Sequence, residues 1–112
     1  MRRGEIWWAS FPVPAASAPG YRRPVLVVQS NAFNESKIHT VIVLALTTNM
    51  HLASAPGNVR ITRRQSGLQK DSVVNVSQIM TVNRSMLTEK AGELTELKLE
   101  EIAKGLRRIL VL

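Results

Sequence analysis

The sequence predicts a small, mainly β (α+β) domain in which five or six short strands curl into a closed barrel and a single C-terminal α-helix follows. Three observations predict it. Short runs of β-branched and aromatic residues recur along most of the chain, bounded by Pro, Gly or Asn. The last stretch instead places Leu99, Ile102, Leu106 and Ile109 at helical spacing. The 112 residues, 45% of them hydrophobic, suffice for one modest core and no more, so residues 1–112 read as one domain.

The first strand is expected over Glu5–Phe11, where Ile6, Trp7, Trp8 and Phe11 cluster. Trp7 and Trp8 must face opposite ways. One belongs in the core, and the other in an interface or against a nucleic-acid base. Residues 12–20 hold three prolines and a glycine among small residues, which marks a loop longer than a hairpin needs. Residues 24–30 (PVLVVQS) and Thr40–Thr47 (TVIVLALT) are continuous apolar runs, expected as strands buried on both faces, with a polar connection over 31–37. After a small-residue loop over 49–57, residues 59–63 alternate as a half-exposed strand, and Ser66-Gly67 marks a turn. Residues 72–79 form the next strand, which 80–82 extend. Asn83 is positioned to cap one helical turn over 84–87, and residues 92–94 return to the sheet.

Thr95 is a good N-cap for the last helix. Glu96, Glu100 and Glu101 come early in it and Lys104, Arg107 and Arg108 late, as the helix dipole favours. Gly105 is an internal flaw of about 1 kcal/mol relative to alanine. The apolar end, Ile109-Leu110-Val111-Leu112, is expected to pack. Closure of the strands into a barrel would hide the sheet edges.

Composition narrows the chemistry. No apolar run approaches the ~20 residues of a membrane span, and no signal-like core follows Arg2-Arg3. The absence of cysteine removes disulfides, thiolate metal sites and cysteine nucleophiles, and makes a cytoplasmic home the simplest expectation. The formal net charge is +7. Residues 1–88 hold ten Lys/Arg against three Asp/Glu, whereas residues 89–112 hold five of each. A basic surface on the β portion suits a phosphate-backbone partner, although charge also serves solubility.

No glycine-rich phosphate loop is followed by lysine, so nucleotide hydrolysis is not indicated. His39 and His51 have no partner at metal-ligand spacing, and the acids outside the last helix are too few for a two-metal nuclease. No metal and no cofactor are expected. A nuclease built this way can use the 2′-hydroxyl of RNA as nucleophile. It must then align the attack and neutralise the charge gathering on the phosphate, a task that suits an arginine fork. Arg22-Arg23 stands where the loop meets the second strand, though from the dipeptide alone a solvated basic pair at a loop end is the plainer reading.

Gly4-Glu5-Ile6-Trp7, the loop with Ser17, Arg23-Pro24-Val25-Leu26-Val27-Val28, and the run from Val41 to Thr47-Thr48 together resemble the MazF/PemK toxin family. Asp71-Ser72-Val73-Val74, Gln78-Ile79-Met80-Thr81-Val82, Leu87 and Gly92-Glu93-Leu94 continue the likeness in order along nearly the whole chain. The resemblance implies an SH3-like small β-barrel (PemK/CcdB-like) with a C-terminal α-helix, assembled as a homodimer. It implies a toxin that cuts single-stranded RNA at short sequences, leaving 2′,3′-cyclic phosphate and 5′-hydroxyl ends, and a small antitoxin that enters the RNA groove. The basic groove makes that antitoxin acidic.

By position, the resemblance assigns catalysis to Arg23 and Thr47, and RNA contact to Ser17, Arg22, Thr48 and Gln78. Gln78 also fits a role in the sheet backbone. Many relatives carry an acid after the loop serine, where this chain has Ala18. His51, four residues beyond Thr47, is a substitute by its chemistry, but an exposed loop histidine is the plainer reading. Two alternatives share the features above: a CcdB-like toxin that poisons DNA gyrase, and a non-catalytic SH3-like RNA-binding module.

Overall fold

The computed structural model describes residues 1–12 and 21–112. Six strands form one antiparallel sheet: β1 (Glu5–Phe11), β2 (Tyr21–Val27), β3 (Thr40–Thr47), β4 (Val59–Ile61), β5 (Ser72–Asn83) and β6 (Leu87–Glu93). Their order is β4-β5-β3-β2-β1-β6. Among the described residues three α-helices accompany them: α1 (Asn31–Asn34), α2 (Arg63–Ser66) and α3 (Glu96–Leu110). The small mainly-β barrel with a C-terminal helix is therefore what forms.

The continuous apolar runs of β2 and β3 are buried on both faces, as expected, except at Ile42, which is 40% exposed. Leu26, Leu44 and Leu46 join Ile6, Ile61, Val74, Val76 and Leu94 in the core beneath α3, which contributes Ile102, with Leu99 and Leu106 packed against the cluster. Val25, Val27, Val41 and Val43 face the other way and, with Ala9 and Val82, are covered by Trp7, Met80, Met86 and Leu87. Alternation along two strands thus produces two apolar layers. Trp7 is the core tryptophan of the pair.

The sheet curls into a half-barrel until the α2 turn, which follows β4, meets the other edge strand, β6. Gly67, in the left-handed region at φ 78° after α2, lies against Ala91 and Gly92 of β6. A Cβ on Gly67 would collide with the backbone of Ala91, and one on Gly92 with that of Ser66. The curl itself comes from β5. Leu44 pairs with Ile79 while the next residue, Ala45, pairs with Asn75, so residues 76–78 are extra on the β5 side. A bulge of this kind bends a strand sharply. It lets the first half of β5 also pair with β4.

Several boundaries differ from expectation. β2 begins at Tyr21 rather than Pro24, because Tyr21, Arg22 and Arg23 pair with Phe11, Ser10 and Ala9 of β1. The connection after β2 contains the helical turn α1, and the Ser66-Gly67 turn is the end of α2. That single turn is held by a Thr62/Gln65 capping box. β6 starts at Leu87, earlier than residue 92. Asn83 precedes a 3-10 turn over Arg84–Met86 but makes no side-chain cap bond.

Thr95 does cap α3, its side chain accepting from the Lys98 N–H. Gly105 is not a flaw, because a Cβ there would strike the backbone of Gly57, and its absence lets α3 close on the loop before β4. The apolar C-terminal end does not pack within the chain. Ile109 and Leu110 are close to half exposed and Val111 and Leu112 almost fully so. The loop expected over 12–20 lies, apart from Pro12, outside the described residues, and with it Ser17 and Ala18.

Candidate RNA-binding groove

At the open end of the barrel lies a groove of about 600 Å³. Trp8 of β1, Arg22-Arg23-Pro24 of β2 and Leu46-Thr47-Thr48 at the end of β3 form its floor and one side. Gly67-Leu68-Gln69-Lys70 and Ser72 form the facing wall, and Glu89 of β6 closes the rim. The size suits a nucleotide-sized ligand.

Strand register assembles the central pair. In the β2–β3 ladder Val25 lies opposite Ala45 and Val27 opposite Val43. Continued two residues toward the open end, that register sets Arg23 opposite Thr47. Residues 24 apart in sequence thus reach one site, because both strands run to their ends there. The Thr47 Oγ1 accepts the Asn49 N–H at 3.1 Å. Its hydroxyl proton is left to donate into the groove.

The two arginines are held differently. The Arg22 guanidinium lies 5.1 Å from the Trp8 ring centroid and donates to Glu89 Oε2 at 2.9 Å. The Arg23 guanidinium lies 5.7 Å from the Tyr21 ring centroid, and that ring stacks on Phe11 at 5.5 Å and 21°. Among the described residues, neither Arg23 nor Lys70 has a carboxylate partner. The loop bearing Lys70 is fastened by Asp71, which accepts the Arg63 N–H at 2.8 Å and pairs with Arg60 at 3.4 Å. The Arg63 N–H, followed by the Arg60 guanidinium, holds the Asp71 carboxyl below its ordinary pKa.

Of the residues singled out in the sequence, Arg22, Arg23, Thr47 and Thr48 come together. Gln78 does not line this groove. It sits exposed in the β5 bulge, which breaks the simple alternation that would have aimed it. His51 lies exposed in a 3-10 turn (Met50–Ser54), also outside the groove lining. Among the described residues no three His, Cys, Asp or Glu gather as a metal site, and no helix is long and apolar enough to cross a membrane. Trp8 is the tryptophan that sequence reading left for an interface or a base, whereas Lys70 and Glu89 were missed as groove residues. Glu89 gave no local signal, since only the β1–β6 ladder, pairing it with Trp8, brings it there.

Residues 2–110 match the family described as PemK-like, MazF-like toxin of type II toxin-antitoxin system. The chain belongs to this MazF/PemK family. It is 46% identical over 110 residues to a protein named endoribonuclease MazF6 from Mycobacterium tuberculosis, covering 98% of this chain and 96% of the relative. It is 31% identical over 112 residues to endoribonuclease EndoA of Bacillus subtilis, covering 100% and 96%. A crystal structure of MazE-MazF from Deinococcus radiodurans superposes with a TM-score of 0.83 at 23% identity, covering all of this chain and 96% of that one, which matches the fold. The MazF-type barrel and its C-terminal helix are thus common to both.

Proposed function

We propose that this MazF-family chain is the endoribonuclease toxin of a type II toxin–antitoxin pair, cutting single-stranded RNA at short sequences without metal and without the ribosome. The observation that carries the reading is that Arg23 and Thr47 line one groove, in which Arg23 has no carboxylate partner among the described residues. In the proposed step, the 2′-oxygen attacks the adjacent phosphorus and the 2′-hydroxyl proton is released. The P–O5′ bond breaks and the departing 5′-oxygen takes up a proton, leaving 2′,3′-cyclic phosphate and 5′-hydroxyl ends.

Arg23 supplies a planar, permanently protonated fork for the phosphate oxygens as negative charge gathers on them. Thr47 donates its hydroxyl to a phosphate oxygen or orients the 2′-hydroxyl. Arg22, Thr48 and Lys70 line the path of the flanking nucleotides. Loss of translatable RNA in the cytoplasm would then stop growth. An acidic antitoxin segment suits the same basic groove, and the relatives include a toxin solved in complex with its cognate antitoxin. Self-association as a homodimer is supported by the exposed apolar end of α3. The gyrase-poison and passive-binder alternatives leave the Arg23–Thr47 juxtaposition without a use.

The test is cleavage of a long single-stranded RNA by purified protein in excess EDTA. Discrete fragments ending in cyclic phosphate, absent with Arg23→Ala, are the expected result. Cutting that requires added Mg²⁺, or that survives in Arg23→Ala, contradicts the reading.

A further inference from the structure

We infer that Tyr21 is a positioning residue for Arg23, holding the guanidinium by its flat face so that it is oriented without being neutralised. This deepens the reading of Arg23 as the group that meets the scissile phosphate, and rests on it.

Arginine is long, and a side chain that must meet a phosphate at one place loses rate whenever it points elsewhere. A carboxylate is the usual anchor for a guanidinium, but it cancels the charge that the reaction requires and occupies the N–H fork. The aromatic face is the other anchor. It attracts the cation through the ring quadrupole and leaves the edge of the fork open. Both anchors are present in this groove, on adjacent residues. Arg22 has an aromatic face and a carboxylate, Trp8 and Glu89. Arg23 has only an aromatic face, Tyr21, and no carboxylate among the described residues.

The Tyr21 ring is itself fixed. It stacks on Phe11, its partner across the β1–β2 ladder, so the ring is part of a two-aromatic pile on paired strands. Tyr21 and Arg23 are two apart in β2 and therefore share a face, which makes the contact a consequence of strand geometry. The phenolic hydroxyl has no part in this arrangement, so the ring alone should suffice.

The experiment measures single-turnover cleavage of an oligonucleotide carrying the most strongly cut site found in a long RNA. Affinity is measured separately for the same oligonucleotide with 2′-deoxyribose at that site, which cannot be cut. Tyr21→Leu should slow cleavage about two- to fivefold, the range for a cation over an exposed ring. Its affinity for the uncleavable oligonucleotide should match wild type, and Tyr21→Phe should cleave at the wild-type rate. Should the leucine variant not fold, Tyr21→Val replaces it, since valine suits a strand.

Three outcomes overturn the inference: an unimpaired leucine (or valine) variant, a phenylalanine variant as slow as the leucine one, or weakened affinity with an unchanged rate. The last would mean that Tyr21 stacks on a base instead. Arg23→Ala run beside them separates the two claims. If Arg23→Ala is inactive and Tyr21→Leu is normal, the positioning role alone fails. If Arg23→Ala cuts normally, the catalytic reading fails as well.

Discussion

Arg22 and Arg23 are successive residues of one strand, line one groove and each lie over an aromatic ring, yet only Arg22 is paired with a carboxylate. The difference arises from alternation. Arg22 shares a face of β1 and β2 with Trp8 and Pro24, and the β1–β6 ladder sets Glu89 opposite Trp8. Arg23 lies on the other face, opposite Ala9, and shares the groove with Thr47, with no carboxylate pairing it among the described residues. An approaching phosphate therefore meets a locally balanced pair at Arg22 and an unbalanced charge at Arg23. Two identical side chains are given different electrostatic tasks by the face of the sheet on which each stands.

The largest effect expected from this comparison is on the chemical step. Arg23→Ala should lower the cleavage rate by about a hundredfold or more, in the range for losing one preorganised donor at developing charge. Arg22→Ala should lower it by only about two- to fivefold, as for one exposed contact that is already half satisfied. Both residues are exposed, so thermal unfolding should hardly move in either variant. Equal losses for the two would break the comparison.

The sequence showed part of this and hid part of it, for physical reasons. The two-sided burial of β2 and β3 was legible because apolar residues follow one another without interruption through Val25–Val28 and Val41–Leu46, and α3 because its apolar spacing and Thr95 cap agree. Arg23 and Thr47 were legible through the family likeness, since neither dipeptide nor strand end is distinctive alone. Glu89 was counted with a neutral tail because its role depends on a ladder between β1 and β6, some eighty residues apart. Gln78 was misplaced relative to the groove because a bulge is a property of two strands together and leaves no mark in the alternation of one. Gly105 looked unfavourable because propensity considers the helix alone, whereas the residue answers to Gly57 across the contact.

A moderate effect tests the role of Glu89. Glu89→Gln keeps the shape of the rim but removes the charge that balances Arg22. A further phosphate contact then becomes available, and for single-stranded RNA each such contact steepens the dependence of log affinity on log salt by about 0.7. Binding of an uncleavable oligonucleotide, measured between low and moderate salt, should show that steeper slope. The cleavage rate at saturating RNA should stay near wild type. An unchanged slope would mean that Arg22 already reaches a phosphate past Glu89.

The smallest expected effect concerns what holds Glu89 in place. Next to it in β6, Lys90 pairs with Glu5 of β1 at 3.0 Å, and Glu5 also accepts from Trp7 Nε1 at 3.0 Å and from the Arg2 N–H at 2.8 Å. Burial by itself would raise the Glu5 pKa. The bonds from Trp7, Arg2 and Lys90 outweigh it, so the carboxyl lies below its ordinary value of 4.5. A carboxyl with a folded-state pKa below its unfolded one stabilises the fold at pH above the unfolded value, and that stabilisation is lost as pH falls through the folded value. Acid should therefore loosen the β1–β6 edge, and with it the rim that carries Glu89, while β2 and β3 continue to hold Arg23 and Thr47 in the groove. Urea unfolding of the wild type should show midpoints that fall below pH 4.5, with a shallower fall in Glu5→Gln. Amide exchange in mild acid should quicken in β6 before β3. Equal quickening in both strands would mean that the two arginines share one cooperative support, and that the charge on Glu89, rather than the stability of its strand, is what sets them apart.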